Sequence, residues 1–525
     1  MDLASLGGGR PDRALADLVW PSDYAAYDGL SRHLIDTQIE TVRALGLAGP
    51  FGAALRAKTY DMATDLAFVA RLSFDIANAR RTGRTLQYDP QSSPMLAFLD
   101  SGGDARRFPM PRVWHHPLDN RVATRARRLA RRSRSYVRAL LAGGSRIDVH
   151  NRNNLVNAFL ASDDRAAVEW PVTDHGWPDG SDLPPPLVEA AAALSDAYLN
   201  TVRQFVEDTR LCDTLAVMGH SLVRYHLTKA WADLMLFQRH IRRRPLGTML
   251  LSGTPKHLGR LAGWLYREEG RPVARCAHGG ERVFFADYEW GLAEFPDCDI
   301  YFAHSAGERD AIRQRLDSGG TVRVLTNQTI DVRTLGSPHH QSLLKRSRER
   351  GQRPRSGTLL YVAGGYLGEQ LGDFPSRKPP DILYLDWQID LIETLKSFGY
   401  RVVAKLHPAG IAREARYLGH YTDGIVEGLF DPTAVDADCF VFDFAGTAFF
   451  DAIATQTPMV LADTTVRPFD LSTLDDLATR CPIVPGRRDE AGRFRIDRER
   501  LGAAIEDAIA RPPCPTDFYD RYLGA

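Results

Sequence analysis

Two histidines of this chain follow apolar runs with the character of β-strands, where an imidazole could act on a bound substrate. His407 comes after the run 401–406, and His278 comes at the end of the run 272–277 and before two glycines. An imidazole can donate a proton to a phosphate oxygen, and near neutral pH it can accept one from a hydroxyl group. We therefore predict that His407 binds an anion and that His278 is catalytic, with Glu281 as a second acid or base.

Small residues form turns after two other strand-like runs in the same half of the chain. The run 439–443 leads through Gly446 and Thr447 into an apolar helix, and Gly364 and Gly365 close an earlier run. Backbone N–H groups and a hydroxyl at the start of a helix can bind a phosphate, and glycine lets a ligand approach the backbone closely. The alternative for Gly446 and Thr447 is a capped core helix, since both residue types also cap helices.

Further polar residues lie at predicted strand ends. Lys405 stands two positions before His407 and is a candidate for neutralising a phosphate. In the first half of the chain, His150 and Asn151 end one run, and Thr254 and Lys256 follow another. We predict that these four residues bind the second substrate.

The order of these runs indicates the fold class. From residue 146 onward, short β-rich runs alternate with helical segments, and this alternation restarts at residue 358. Strand, helix, strand at this spacing is typical of a parallel sheet covered on both faces. We predict an α/β protein with two Rossmann-like, doubly wound domains facing a cleft, in which ligands bind beyond the carboxyl ends of the strands.

The domain boundaries follow from changes in composition. Residues 1–110 are mainly helical and show no catalytic motif, and residues 337–357 are basic and poor in apolar side chains, as in a linker. The prediction has four parts: an N-terminal helical extension, 1–110; an acceptor domain, 111–336; a linker, 337–357; and a nucleotide-donor domain, 358–525.

Composition excludes several classes of protein. The 525 residues include 66 Lys and Arg and 66 Asp and Glu, so the formal net charge of zero gives no overall field for nucleic acid. No window has the run of about 18 apolar residues that a membrane span requires, and residues 1–13 lack an apolar leader core, so we expect neither a membrane span nor secretion. The six cysteines are widely spaced, which predicts reduced thiols and a cytoplasmic protein. P-loop, dinucleotide, zincin and EF-hand motifs are absent, and we expect neither metal nor cofactor.

One segment is rich in arginine. Seven of the fourteen residues 121–134 are Arg, and the segment begins at Arg121 and continues helically through Arg138. Such a face is either simply solvated or contacts an anionic inner-membrane surface or a phosphorylated acceptor. The second interpretation predicts a peripheral position at the inner membrane face.

In four segments the chain resembles bacterial surface-polysaccharide glycosyltransferases of the GT-B architecture. The pattern is similar to that of Kdo-transferase-like proteins of capsule and lipopolysaccharide synthesis, with features of CDP-glycerol glycerophosphotransferases. The segments are 252–280 and 289–302 in the first domain and 384–408 and 437–461 in the second, within a resemblance that covers residues 247–470.

The resemblance implies a function and roles for these residues. The second domain would hold a CMP- or CDP-linked sugar donor, with His407 on its phosphate and Gly446 and Thr447 cradling it. The first domain would hold a hydroxyl of a polysaccharide or glycolipid, with His278 as the catalytic or acceptor-orienting group. Residues 445–447 (AGT) are closer to the glycerophosphotransferase turn, so transfer of an alditol phosphate from a CDP-alditol remains an alternative.

Three other functions stay open from the sequence. Residues 303–307 (AHSAG) resemble a nucleophile elbow, which would make Ser305 the nucleophile of a serine hydrolase. A sugar-nucleotide epimerase could use the same two domains without an acceptor. A binding protein could use the cleft to sense a nucleotide sugar without turnover.

Overall fold

The chain forms two α/β units, each built on a six-stranded parallel sheet. The computed structural model describes residues 15–91, 93–102, 146–170, 182–241, 246–253, 257–286, 290–317, 329–351, 354–366, 379–407, 416–512 and 514–524, with the single positions 6, 11, 137, 141 and 325. The predicted fold class, two doubly wound units as in the GT-B architecture, is confirmed.

The first sheet has the order β2-β1-β3-β4-β5-β6, with every neighbouring pair parallel. Its strands are β1 (Arg146–His150), β2 (Ala166–Glu169), β3 (Thr248–Ser252), β4 (Val273–Cys276), β5 (Ile300–Ala303) and β6 (Asp331–Thr334). The helices of this half are α1 (Tyr24–Leu45), α2 (Gly49–Arg81), α3 (Pro94–Ser101), α4 (Asn154–Ala161), α5 (Pro185–Val202), α6 (Thr209–Ile241), α7 (His257–Glu268), α8 (Trp290–Glu294) and α9 (Ala306–Asp317). A 3₁₀ helix spans Gly280–Phe284.

The second sheet has the order β12-β11-β10-β7-β8-β9 and is also parallel. Its strands are β7 (Thr358–Val362), β8 (Arg401–Lys405), β9 (Gly424–Val426), β10 (Cys439–Phe442), β11 (Met459–Asp463) and β12 (Ile483–Pro485). A separate antiparallel pair is β13 (Arg487–Arg488) and β14 (Phe494–Arg495). The helices are α10 (Pro338–Arg350), α11 (Asp381–Ser397), α12 (Thr447–Ile453), α13 (Leu471–Arg480), α14 (Arg498–Ala510) and α15 (Thr516–Leu523).

The central strands of both sheets are buried, apart from the half-buried first residue of β3. β7 and β10 have no exposed residue, as expected for parallel strands covered by helices on both faces. β1 is equally buried although it contains Arg146 and Asp148, because these two side chains form an ion pair at 2.9 Å. The hydroxyl of Tyr266 and the N–H of Gly247 complete the hydrogen bonds of the Asp148 carboxylate.

The N-terminal helices share one hydrophobic core with the first sheet. Leu30 of α1 and Leu66 of α2 belong to the same buried cluster as Leu222 of α6 and Leu251 of β3. α1 begins where Asp23 accepts the N–H of Ala26, and it ends at a left-handed glycine. The predicted boundary between residues 110 and 111 lies outside the described residues.

The chain passes between the two sheets twice. α10 lies within the predicted linker 337–357, and it buries Leu343 and Leu344 in the core of the second unit. At the end of the chain, α15 returns to the first unit and packs against α9, where the backbone of Arg521 lies against Gly307. All six cysteines lie among the described residues, and none of them forms a disulfide.

A buried aspartate in α2 makes stability depend on pH. The Asp75 side chain accepts a hydrogen bond from the Ser22 hydroxyl, and burial raises the pKa of Asp75 to about 7. The folded protein therefore keeps a proton that the unfolded chain loses near pH 4, so the stability that this proton contributes is lost as the pH rises toward 7. We expect the free energy of unfolding of Asp75→Asn, relative to that of the parent protein, to increase by about 2 kcal/mol from pH 5 to pH 8. Urea denaturation at the two pH values measures this change.

The exposed aspartate at position 213 provides the matched control for this measurement. Asp213→Asn removes a carboxylate at the surface, so it reports the effect of the charge change without burial. The prediction would be contradicted if the free energies of unfolding of Asp75→Asn and the parent protein differed by the same amount at pH 5 and at pH 8.

Candidate functional site

Three strand-end turns of the second unit meet at one edge of its sheet. β7 lies between β8 and β10, so the residues that follow these strands are neighbours. A Cβ at position 365 would lie 3.0 Å from the ring of His407, and one at position 364 would lie 3.2 Å from Cβ of Phe444. The structure thus brings Gly364, Gly365 and His407 together beside the turn that leads to Gly446. His407 is exposed at this edge.

Asp443 holds this arrangement in place, and the sequence analysis did not assign it a role. Its carboxylate accepts the N–H of Gly364 at 3.2 Å and the hydroxyl proton of Tyr361, and it is 3% exposed. Gln388, which is fully buried, donates to the carbonyl oxygen of Gly364 at 3.3 Å. The sequence contained one sign of this role, because Asp443 directly follows the apolar run 439–442. The turn at Gly364 is therefore held from both sides.

The remaining predicted donor residues differ in accessibility. Lys405 is 2% exposed, and its ammonium donates to the carbonyl oxygen of Leu406 at 2.6 Å, so it lies beneath the edge. Gly446 has an extended backbone and precedes α12, whose first residue is Thr447. Because α12 has only seven residues, its dipole is small, and the case for a phosphate rests on His407 and the glycine turns.

The first unit presents the turn that follows β4 at its own carboxyl edge. His278 is exposed, and a Cβ at position 253 would lie only 2.1 Å from the backbone nitrogen of His278. The close approach of the chain after β3 therefore requires Gly253. Asn153 donates to the carbonyl oxygen of Ala277 at 2.7 Å, which ties the end of β1 to this turn.

Glu281 lies behind this turn. It is 6% exposed, and among the described residues its Oε2 atom has no hydrogen-bond partner. The carboxylate lies against Gly279, where an added Cβ would come 2.1 Å from Oε2. Gly280 in turn lies against the ring of Phe450 in α12, which begins at the turn of Gly446. The turn predicted to be catalytic and the turn predicted to bind the donor thus lie on either side of the contact between Gly280 and Phe450.

The two units are joined firmly just beyond this turn. The rings of Phe285 and Phe469 stack at 5.0 Å, and the N–H of Asp470 donates to the carbonyl oxygen of Phe284 at 2.9 Å. Arg315 pairs with the Asp470 carboxylate at 2.5 Å. The guanidinium of Arg467 lies 3.9 Å above the Phe285 ring. The ring stacking, the backbone hydrogen bond and the ion pair together hold the segment that follows the predicted catalytic turn in position.

The predicted acceptor residues are not brought together on one exposed surface. His150 is 7% exposed, and burial together with the charge of Arg275 lowers the pKa of His150 to about 4. Asn151 is exposed and has a left-handed backbone, with φ of 61°. Thr254 and Lys256 lie outside the described residues.

A network of buried charged groups lies between α2, α6 and α7, and the sequence analysis missed it. Asp61 of α2 pairs with Lys58 at 2.9 Å and with Arg260 of α7 at 2.7 Å. Burial alone would raise the pKa of Asp61, but these two cations outweigh it and hold that pKa well below its usual range. The two cations therefore hold the buried Asp61 carboxylate in a fixed position.

The same network continues into α6. Asp233 accepts from His257 at 2.7 Å and from Lys229 at 2.7 Å, and His226 pairs with Asp65 of α2 at 2.9 Å. Burial, with the Lys58 charge, lowers the pKa of His257 to about 4, so its ring is neutral at pH 7. Clusters of buried ionisable groups with shifted pKa values are common at functional sites.

The signal for this network was present in the sequence. Lys58, Asp61 and Asp65 stand at positions i, i+3 and i+7 of α2, and His226, Lys229 and Asp233 repeat that spacing in α6. This spacing puts each set on one helix face. A charged stripe of this kind normally indicates a solvated face, and only the packing of the two helices shows that it is buried.

Ser305 does not have the setting of a nucleophile. It is fully buried, and its hydroxyl accepts the N–H of Glu308 at 3.1 Å as the cap of α9. The neighbouring His304 bonds Glu308 at 3.1 Å instead of the serine. The geometry therefore does not support the hydrolase alternative.

Comparison with models of known protein families gave no match, and comparison with curated proteins gave none. Among solved structures, the chain is similar to a UGT transferase from Siraitia grosvenorii, crystallised in complex with UDP. The sequence identity is 8%, the TM-score is 0.31, and the alignment covers 70% of this chain and 91% of that chain. We transfer no residue role from that structure to this chain.

Membrane association was a further prediction from the sequence. The Arg-rich segment from Arg121 to Arg138 falls outside the described residues except for position 137. Among the described helices, none combines the length and the apolar character required to cross a bilayer.

Proposed function

We propose that this chain is a glycosyltransferase that binds a nucleotide-activated sugar at the carboxyl edge of the second sheet. The sugar would pass to an acceptor hydroxyl held by the first unit. One observation carries the proposal: the turn with His278 packs through Gly280 onto Phe450 of α12, the helix that starts at the donor turn. The two turns therefore lie on either side of one packed junction, which supports transfer between two substrates held in fixed positions.

The donor edge is suited to a diphosphate or phosphate leaving group. His407 is exposed beside Gly365, so its ring can reach a phosphate oxygen while the glycine backbone comes close to the same group. Hydrogen bonds from an imidazole and from backbone N–H groups would stabilise negative charge as it develops on the leaving nucleotide. The resemblance to Kdo-transferase-like and glycerophosphotransferase-like proteins favours a CMP- or CDP-linked donor.

The acceptor side is suited to general base catalysis. His278 is exposed at the edge of the first sheet and can take the proton of an acceptor hydroxyl. Glu281, buried behind Gly279 with an unbonded oxygen among the described residues, would stabilise the imidazolium that forms.

The nature of the acceptor follows only from the resemblance. We propose a hydroxyl of a bacterial surface polysaccharide or glycolipid, modified at the cytoplasmic face of the inner membrane. Under this proposal, Arg121 and Arg138 delimit a basic segment that contacts the anionic surface. The division into the predicted domains 1–110, 111–336 and 358–525 is part of the same proposal.

Thermal-shift measurements with CMP, CDP, UDP, GDP and ADP would test donor binding. A ligand that binds only the folded state raises the melting temperature of the protein, so we expect CMP or CDP to raise it selectively. His407→Ala should lose this increase because it removes the phosphate contact. His420→Ala is the matched control, since His420 is also exposed but precedes β9 at the opposite edge of the sheet.

Two results would contradict the proposal. One is a nucleotide response that His407→Ala retains, which would place the nucleotide elsewhere. The other is the absence of a response to all five nucleotides together with no transfer from any nucleotide sugar. Product analysis with a bound donor separates transfer from epimerisation, since an epimerase converts the donor without an acceptor.

A further inference from the structure

Three side chains of metal-ligating type converge where α10 meets α12. His339 and His340 stand in the first turn of α10, and Asp451 lies on α12. Nε2 of each histidine is 3.1 Å from the same carboxylate oxygen, Oδ1 of Asp451. One ligand atom from each residue lies within 4.8 Å of the other two. This cluster is separate from the donor and catalytic turns described above.

Two of the three separations between these atoms are close to what a tetrahedral ion requires, and the third, between the two histidines, is within 4.8 Å and would have to shorten. Bonds of about 2.0–2.1 Å to nitrogen and oxygen at tetrahedral angles put neighbouring ligand atoms about 3.3 Å apart. The 3.1 Å separations from Asp451 therefore need to change by only a few tenths of an ångström. Other histidine–aspartate pairs in this chain are shorter, at 2.7 Å for His257 with Asp233 and 2.9 Å for His226 with Asp65.

The surroundings hold the inner ligand in position. His340 is 5% exposed in its side chain, and its Nδ1 lies 2.6 Å from the hydroxyl of Ser337. The ring of Phe450 packs edge-on against the His340 ring at 4.8 Å. A metal-bound histidine usually donates a hydrogen bond from its second ring nitrogen, and this bond sets the orientation of the ring. Ser337 supplies that support here.

Access comes from the other side of the cluster. The side chain of His339 is 35% exposed and that of Asp451 is 16% exposed, against 5% for His340. An ion could therefore enter past His339 and keep water at its remaining position. Two imidazoles and one carboxylate favour a borderline divalent transition metal such as Zn²⁺ or Co²⁺ over Mg²⁺ or Ca²⁺, which prefer oxygen ligands.

We propose that His339, His340 and Asp451 form a binding site for a divalent transition-metal ion of the Zn²⁺ class. The ion would link α10, which connects the two sheets, to α12, which starts at the donor turn and carries Phe450, the residue in contact with Gly280. Its effect is to hold the connecting helix against the donor unit. The proposal does not depend on the proposed transferase activity.

Binding of Zn²⁺ to the full-length protein, after removal of metals by a chelator, is the direct test. Isothermal titration should show one tight equivalent, and Co²⁺ should give the visible absorption of a tetrahedral site. His339→Ala removes a partly exposed ligand and should fold normally. It should lower the affinity by more than about 100-fold, since even the loss of a supporting residue around a metal costs 10–100-fold.

Two further variants complete the design. Asp451→Asn should also lose the tight equivalent, whereas His420→Ala, an exposed histidine outside the cluster, should keep it. The absence of a tight equivalent in the parent protein would overturn the proposal. Unchanged binding in both His339→Ala and Asp451→Asn would overturn it as well, because the ion would then lie elsewhere.

Discussion

Replacing Gly280 by alanine is expected to lower the free energy of unfolding by about 3 kcal/mol, the upper end for an overpacked site. The added Cβ would lie 2.0 Å from Cε1 of Phe450, which is 1% exposed. The Phe450 ring cannot move easily, since His304 and His340 pack against it at 5.9 and 4.8 Å. The clash must therefore push the two units apart. Urea denaturation measures the loss of stability.

Gly29→Ala is the matched control for this substitution. Gly29 lies inside α1 and has no atom within 4 Å of an added Cβ, so the same chemical change meets open space. We expect Gly29→Ala to be neutral or to stabilise the protein by about 0.5–1 kcal/mol, because alanine favours a helix. Equal effects of the two substitutions would show that the contact with Phe450 does not hold the units together.

Replacing His278 by alanine is expected to lower the rate of sugar transfer by about 10²–10⁴-fold, the usual contribution of a general base. His278 is exposed, so the variant should fold and should keep its thermal response to the donor nucleotide. The measurement is the initial rate with the donor that the thermal-shift experiment identifies. Added imidazole should restore part of the rate, which a purely structural role of His278 would not predict.

Two comparisons make this result specific. Glu281→Gln should reduce the rate less than His278→Ala, because it weakens the support of the base and leaves the base itself. His420→Ala should have the rate of the parent protein. A His278→Ala variant that retains full activity would assign the proton transfer to another group, and Glu281 would then be the first residue to test.

The second sheet was largely predictable from the sequence because its strands are short apolar runs between glycine and polar turns. The predicted runs 401–406 and 439–443 agree with β8 and β10 to within one residue, and the predicted restart at residue 358 coincides with the start of β7. Edge strands were harder. β2 and β12 were missed, and β6 is mostly exposed, so hydropathy does not mark it.

The donor side of the candidate site was predictable for the same reason. Residues at the carboxyl ends of parallel strands share one edge, so Gly364, Gly365 and His407 could be grouped before their contacts were known. Burial could not be predicted in this way. Lys405 lies beneath the edge, and His150 lies inside the first unit, because the packing of helices on the sheet decides which side chains reach solvent.

The double passage of the chain between the units restricts how they can move. α10 carries the chain from the first sheet to the second, and α15 brings its end back to α9 of the first unit. Because the units are connected at these two places, the line through the two helices is the natural hinge axis. We therefore expect any opening of the cleft to be a rotation about the line through these helices, with the largest displacement at the edge farthest from it. A substrate would enter from that far edge.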